Sequence, residues 1–443
     1  MAKPDNSDQQ GQREIKPEAR TTPAGVPPVI PPSLCAPQKR TRLSPAVIVV
    51  ICLAAGVLFL TLGLLRSRIL AQAGGSGAAD SKSEPGLTYT NVRIDSSPLS
   101  IHVLKIDRSR KDLTFFAAHA KDHVLGVSLI AEQAWNVAPE LGRAIAGING
   151  DFYLRDNPSY AGDPRGLQIV NGEIISGPSD VCVWFGADGT PHLDEVRAEF
   201  EVTWQDGRKT PFGLNQQRGG PPPLPAKMAL LFTPTYGPST KVKGGQELIL
   251  EKDGDSIWLP LRAGQTYRAR VREVKTNGNT RLDRDTIVLS LPQALLASLP
   301  EARPGIVLQI STSTSPDLAR VKTAIGGGPT LIKDGKPFSV RTPPAGVSGN
   351  WSERSKYERH PRSAVGWSPT HIYLIVVDGR QPGLSMGMRL AELADYMAGL
   401  GCNNAMNLDG GKSAQMWMSG HIMNSPCQGE DTVASSLLVL RKP

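Results

Sequence analysis

The sequence predicts an α+β or mixed α/β protein of twisted mixed sheets, with a C-terminal βαβ unit and a single transmembrane helix ahead of the folded part. Three observations predict it. Residues 46–65 read AVIVVICLAAGVLFLTLGLL, twenty residues without a charge. Short strand-like runs fill the stretch beyond residue 87, two pairs of them joined through Asn-Gly and Asp-Gly. Residues 372–408 then read as strand, helix, strand.

A helix needs about 20 apolar residues to cross the roughly 30 Å hydrocarbon layer, and residues 46–65 meet that length. Lys39, Arg40 and Arg42 precede the run, and the first 45 residues carry seven Lys/Arg against four Asp/Glu. This bias places the N-terminus in the cytoplasm and the main domain on the non-cytoplasmic side. Arg66 and Arg68 weaken the asymmetry, and Ala71-Gln72-Ala73 offers a signal-peptidase site. The run exceeds the usual signal core of about 7–15 residues, so a retained anchor is expected. Residues 1–45, rich in Pro, Gln, Ser and charge, read as a disordered tail. Residues 66–86 read as a flexible spacer, and 87–443 as the folded domain, with a β-rich subdomain over about 195–320.

The net charge of +8 falls to +5 from residue 46 on, with 42 basic residues against 37 acidic, which is mild. No dense Lys/Arg stripe interleaves with aromatics, which argues against nucleic acid as a partner. Of the cysteines beyond the anchor, Cys402 and Cys427 are the nearest pair, open to bridging in an oxidising compartment. No C-x-x-C or His cluster suggests zinc.

Residues 100–106, 113–117 and 144–148 read as strands and 127–135 as a helix with Leu129, Ile130 and Ala134 on one face. Asn171-Gly172 and Asp334-Gly335 predict tight hairpins over 166–176 and 330–339, since these dipeptides favour the turn whose twist matches paired strands. Residues 200–204, 247–250, 256–260 and 286–289 read as further strands. The polar stretch 341–361 has the length of a lid or a disordered loop.

Residues 372–377 form an apolar run suited to a strand buried on both faces, ending at Asp378-Gly379-Arg380. Leu390, Leu393, Ala394, Met397 and Leu400 repeat at helical spacing, with Gly401 at the stop. A short strand, 405–408, ends at Asp409-Gly410-Gly411. Parallel strands so connected place their C-terminal ends on one sheet edge, where ligands bind in open α/β sheets. Asp378 and Asp409 therefore emerge together if the strands are neighbours, and Asp151, after its own short strand, could join them. Arg362 and Arg380 offer fork-shaped donors for a phosphate, and Gly326-Gly327-Gly328 a loop whose amides could cradle an anion. Taken singly, an Asp-Gly after a strand is more often a turn. Gly411-Lys412-Ser413 is not a P-loop, because Met406 stands where that motif needs glycine.

At these residues the chain resembles the phosphodiester glycosidase family. The segments that carry the resemblance are GINGDFY (147–153), RGLQIVNGEI (165–174), AIGGGPTLIKDGK (324–336), HPRSAVGW (360–367), VVDGRQPGLSMGMRLAELA (376–394) and NLDGGKSAQMW (407–417), in matching order across about 101–440. Lys412 departs from the family's third glycine. The anchor at the N-terminal end also differs from that of the animal member, so the animal substrate is not carried over.

The resemblance implies hydrolysis of a sugar C1–O–P bond, and the N-terminal anchor, which sets the chain apart from the animal member and looks bacterial, points to an envelope or exopolysaccharide glycan at a bacterial periplasm or cell surface. A phosphate monoester leaves readily once its charge is neutralised, so anion clamps matter more than a strong acid. The oxocarbenium-like sugar carbon calls for a carboxylate as nucleophile or base. Asp409 or Asp378 is the candidate, with Asp151 as a further carboxylate. Arg362, Arg380, Lys412 and Ser413 are candidates for phosphate, with the amides of Gly326, Gly327, Gly328, Gly410 and Gly411. Asn149, Asp151 and Asn407 would meet sugar hydroxyls or orient the carboxylates. Retention and inversion both stay open. The Asp and Asn residues also suit Mg²⁺ or Ca²⁺ through oxygen ligands, with no cofactor certain. Two other readings are a catalytically silent glycan-binding protein and a polysaccharide-assembly factor of the same fold.

Overall fold

The computed structural model describes residues 81–178, 180–218, 225, 227–337 and 351–443. The expected tail, the apolar run 46–65, most of the spacer and residues 341–350 of the polar stretch lie outside them. Among the described residues no helix is long and apolar enough to cross a membrane. For the described residues, that corrects the expectation of a single-pass membrane protein with an extracytoplasmic domain.

The fold class is corrected as well. Strand outweighs helix by 44% to 10%, so the protein is mostly β. The chain first forms β1 (Ser81–Glu84), β2 (Leu87–Ile94), β3 (Leu99–Asp107) and β4 (Leu113–His119), then helix α1 (Ile130–Trp135) and β5 (Arg143–Asn149). Next come β6 (Gln168–Val170), β7 (Glu173–Ser176), β8 (Val181–Phe185) and β9 (Pro191–Glu195). Asn171 and Gly172, both at positive φ, make the β6–β7 turn that Asn-Gly predicts.

β10 (Arg197–Thr203), β11 (Lys209–Leu214), β12 (Ala229–Phe232), β13 (Gln246–Lys252), β14 (Thr266–Lys275) and β15 (Ile287–Leu291) follow. Helix α2 (Gln293–Leu296) leads to β16 (Val307–Ser315), and the seven strands close in the order β10-β11-β12-β15-β13-β14-β16. Phe200, Phe212, Leu231, Leu250, Val271 and Leu308 fill the barrel. Residues 256–260, expected as a strand, form none.

The last stretch holds β17 (Thr323–Gly326), β18 (Thr330–Lys333), β19 (Lys336–Pro337), helix α3 (Trp351–Arg354), β20 (Arg362–Trp367) and β21 (His371–Val377). Helix α4 (Leu390–Gly399), β22 (Asn404–Asn407), β23 (Met416–Met418), β24 (His421–Ile422) and β25 (Ser435–Arg441) complete it. Three open sheets result: β1-β2-β3-β21-β20-β22-β18-β19, β24-β23-β5-β25-β4 and β7-β6-β17-β8-β9.

The expected βαβ unit is modified in one decisive way. β21 and β22 run parallel but are not neighbours, because β20 lies between them, antiparallel to both. β21 is buried on both faces as its apolar run requires. Leu374 and Val376 pack into the core shared with Ile148, Val183, Ile325 and Leu437, while Tyr373, Ile375 and Val377 meet Leu390, Leu393 and Met397 of α4. Gly401, at φ 84°, ends α4 as the sequence predicts, and the Cys402 N–H reaches back to the Met397 carbonyl at 3.1 Å.

Gly366 of β20 is where α4 sits down. A Cβ there would lie 2.6 Å from the Met397 Cε and 2.8 Å from the Ala405 Cβ. Gly366→Ala is expected to destabilise the protein by about 1–3 kcal/mol, as overpacking does. Urea unfolding reads this directly, and an unchanged midpoint would mean that Met397 moves aside without cost.

Candidate active site

The sheets bring their strand ends to one edge. Arg362, the first residue of β20, is paired with Val377, the last of β21. Asn407 closes β22 opposite Ala364, and Asn149 closes β5 opposite Ser436. Asp378 directly follows the end of β21, while Asp409 and Asp151 stand two residues beyond Asn407 and Asn149. Two sheets are joined there by the Asp409 N–H donating to the Gly150 carbonyl at 3.1 Å, and by the Asn149 amide donating to the Asp409 carbonyl at 2.6 Å.

Asp151 is buried, 3% exposed. Its Oδ1 accepts the Phe152 N–H and its Oδ2 the Gly166 N–H, both at 2.7 Å. Burial nonetheless pushes its carboxyl up to about 7, against those two hydrogen bonds and the charge of Arg165, and the charge of Asp409 adds to the rise. Asp409 is only partly buried by accessible surface. Desolvation raises it to about 6, opposed by the Ser413 hydroxyl, the Arg155 charge, the Gly410 N–H and Arg165. Burial thus makes each carboxylate favour the proton more than an ordinary Asp.

Arg155, Tyr153 and Arg165 were not singled out by the sequence reading. Tyr153 and Arg165 lie inside segments that carry the resemblance, and Arg155 stands two residues beyond one. Arg155 reaches Asp431 at 2.8 Å, the Tyr153 hydroxyl at 2.5 Å and the Ser413 hydroxyl at 3.0 Å. It thereby holds the group that bonds Asp409.

Asp378 is placed differently. It is 2% exposed, and its Oδ2 meets the His102 Nε2 at 2.8 Å. Its Oδ1 accepts from the Asn424 amide and the Ser425 N–H, each at 3.0 Å. The Tyr89 hydroxyl lies 2.8 Å from the other His102 nitrogen, so this carboxylate ties the N-terminal strands to the loop after β24.

Arg362 is equally committed. It donates to the carbonyls of Met388 at 2.9 Å, Ser355 at 2.6 Å and Glu358 at 2.9 Å. Burial, with Arg380 nearby, lowers its guanidinium to about 10. Arg380 is exposed and donates through Nε and Nη2 to the His360 Nδ1 at 3.3 Å. That geometry puts the His360 proton on Nε2, facing Glu358 at 3.2 Å. Burial, then Arg362 and Arg380, lowers the His360 pKa. A Cβ on Gly411 would lie 3.4 Å from the Arg380 guanidinium, so the arginine rests over that loop. Lys412 beside it is exposed and Ser413 buried.

The glycines serve close packing. A Cβ on Gly326 would lie 2.6 Å from the Asp151 Oδ2, one on Gly327 2.7 Å from the Asn407 carbonyl, and one on Gly410 2.6 Å from the Pro361 carbonyl. The Gly328 N–H is taken by the Asn407 carbonyl at 2.7 Å, and the Asn407 amide donates to the Gly328 carbonyl at 2.8 Å. The Asn407 Oδ1 is buried without a protein partner. Asn149 accepts from the Ser363 hydroxyl at 2.6 Å and the Gln415 N–H at 3.2 Å. Cys182, Cys402 and Cys427 are free thiols. Among the described residues no three His, Cys, Asp or Glu side chains gather as a metal site.

Residues 261–440 match the family model of the phosphodiester glycosidases, which supports a glycosidase-type function. That match takes in Arg362, Asp378, Arg380 and Asp409 and begins beyond Asp151. A SPbeta prophage-derived uncharacterized protein of Bacillus subtilis is 30% identical over 114 residues, covering 26% of this chain and 16% of that protein. The chain thus spans about a sixth of that relative's length. A hypothetical protein from Synechocystis has a similar solved structure, with TM-score 0.64 and 18% identity over 83% of this chain and 64% of that one. A solved Burkholderia pseudomallei protein aligns at TM-score 0.60 and 22% identity, over 77% of this chain and 74% of its own. These two likenesses show a shared fold. A zebrafish N-acetylglucosamine-1-phosphodiester alpha-N-acetylglucosaminidase catalytic domain aligns at TM-score 0.42 and 13% identity, over 83% and 84% of the two chains.

Gly326→Ala places a methyl against Asp151 and, at 2.8 Å, against the Gly166 Cα. The expected outcome is a loss of about 1–3 kcal/mol of stability. Chemical denaturation measures it, and a neutral result would mean that β17 carries no packing constraint from Asp151.

Proposed function

We propose that this chain hydrolyses the C1–O–P bond of a sugar-1-phosphodiester, with Asp409 as the carboxylate that acts at the anomeric carbon. The observation that carries the reading is the Asp151–Asp409 pair, held by backbone at two strand ends and raised together by burial. Asp409 is the more accessible of the two and the more readily ionised near neutrality. Asp151, with both oxygens held by N–H groups, is its buried partner.

Water adds across the bond, giving the free sugar and a phosphate monoester. Asp409 either takes the water's proton or bonds the sugar carbon first. The developing charge at that carbon is stabilised by a carboxylate in either case. The departing phosphate needs its charge neutralised, and Arg380, exposed over the Gly411 loop, is suited to that, with Lys412 beside it. His360 orients Arg380 through Nδ1. Arg362 and Asp378, whose polar atoms are taken up by neighbouring loops, are positioning residues in this reading. Asn149 holds the Asp409 loop and Ser363 together.

Asp409→Asn keeps an oxygen for the Gly410 N–H and removes the charge. We expect kcat on a glycosyl phosphodiester to fall by about 10²–10⁴-fold, with Tm nearly unchanged. Full turnover in this variant would remove Asp409 from the reaction, and the anomer first released, read by NMR, separates the two routes.

The pH profile gives a second test. The active form needs Asp409 ionised, and its raised pKa delays ionisation. The acid limb of kcat/KM should therefore rise through about pH 6 rather than near the ordinary Asp value of about 4. A limb at the ordinary value would place the essential carboxylate elsewhere.

A further inference from the structure

At the opposite edge of the same sheets lies a cavity of about 730 Å³. It is bounded by Ile106 at the end of β3, Ile372 at the start of β21, Phe185 at the end of β8 and Thr323 at the start of β17. β21 alone spans seven residues from this edge to Asp378, about 20 Å at strand rise. The cavity therefore shares no wall with the carboxylate pair.

Its rim is basic. Lys111, Arg320, Lys322 and Lys442 line it and are exposed, and none is held in an ion pair with a described residue. Two other cations there are committed. Arg110 is paired with Asp112 through two 2.7 Å contacts, and Arg108 donates to the Ser368 carbonyl at 2.8 Å. The acids facing the cavity are Asp107, Asp188 and Glu140. Asp107 turns onto the Ser109 N–H at 2.8 Å and Asp188 onto the Thr190 N–H at 2.9 Å. Counting side chains, six cations line the cavity against three acids, and four of the six are uncommitted.

The cavity wall also carries an aromatic stack. The rings of Phe115 and Phe185 lie 4.5 Å apart and 3° from parallel. Phe115, half-buried over the buried Phe185, gives the wall an apolar surface, and such a surface beside unpaired cations suits a ligand with apolar faces and repeated negative charge. We propose that this cavity binds an anionic saccharide, a run of phosphodiester-linked sugars remote from the bond that is cut. The choice of saccharide rests on the function proposed above, whereas the anion site rests on the cavity itself.

The test uses the full chain carrying Asp409→Asn and a synthetic phosphodiester-linked mannose oligomer, with binding read by calorimetry. Reversing the charge at Arg320→Glu with Lys322→Glu, and separately at Lys111→Glu with Lys442→Glu, should each weaken binding by about tenfold, the loss shrinking at high salt. In the chain with Asp409 intact, turnover of a single-link glycosyl phosphodiester should stay within about twofold in both reversals, since they lie far from the carboxylates. Unchanged oligomer affinity in both reversals overturns the site. An oligonucleotide of equal charge binding as tightly overturns the saccharide assignment. If no diester is cleaved yet the reversals still weaken oligomer binding, the catalytic reading falls and this one stands.

Discussion

Asp151 can occupy its place only because residue 326 has no side chain. The last residue of β17 lies so close to the Asp151 carboxylate that even a methyl group would overlap it. This contact allows β17 to approach the end of β5. Gly327 and Gly410 make the matching allowances, for the end of β22 and for the Pro361 carbonyl ahead of β20. Backbone approach at the edge, more than any salt bridge, determines where the charged groups stand.

The electrostatics follow from that packing. A carboxylate forced among strand ends loses water on most sides, and two backbone N–H donors do not fully replace it. Asp151 and Asp409 are both raised by burial, and the Asp409 charge adds to the rise at Asp151. Asp378, equally buried, is met by His102, Asn424 and Ser425 and ties chain segments together. Three Asp residues, each just beyond a strand, thus meet different surroundings.

That difference marks the limit of what the sequence carries. The edge itself was legible, because the apolar run 372–377 and the helical spacing from Leu390 to Leu400 are local signals. Both Asn-Gly and Asp-Gly turns were legible for the same reason. The strand between β21 and β22 was not, since RSAVGW has neither the alternation nor the length to announce which partners it takes. Closure of the barrel is likewise a pairing of distant segments, with β10 against β16. At the site, Arg155 stayed hidden because the loop from Phe152 to Arg165 has no period to show which way a side chain points. The glycines of 326–328 were read as an anion cradle, whereas the space left at Gly326 and Gly327 is filled by the protein's own Asp151 and Asn407.

The position of β20 also governs how the chain can assemble. β3 pairs with β21 across more than 260 residues, and β21 reaches β22 only through β20. During synthesis the β2–β3 hairpin must wait, one edge unpaired, while the whole barrel is made. Such non-local pairing is slow, and an uncovered apolar strand edge is a template for the wrong partner. The barrel, whose seven strands come from one continuous stretch of chain, can form during that delay. It then holds residues 197 and 315 on adjacent strands, paired with each other, so that β17 re-enters the sheets beside β8, near where β9 left them. In kinetic terms the barrel shortens the search that the edge bearing Asp151 and Asp409 would otherwise require.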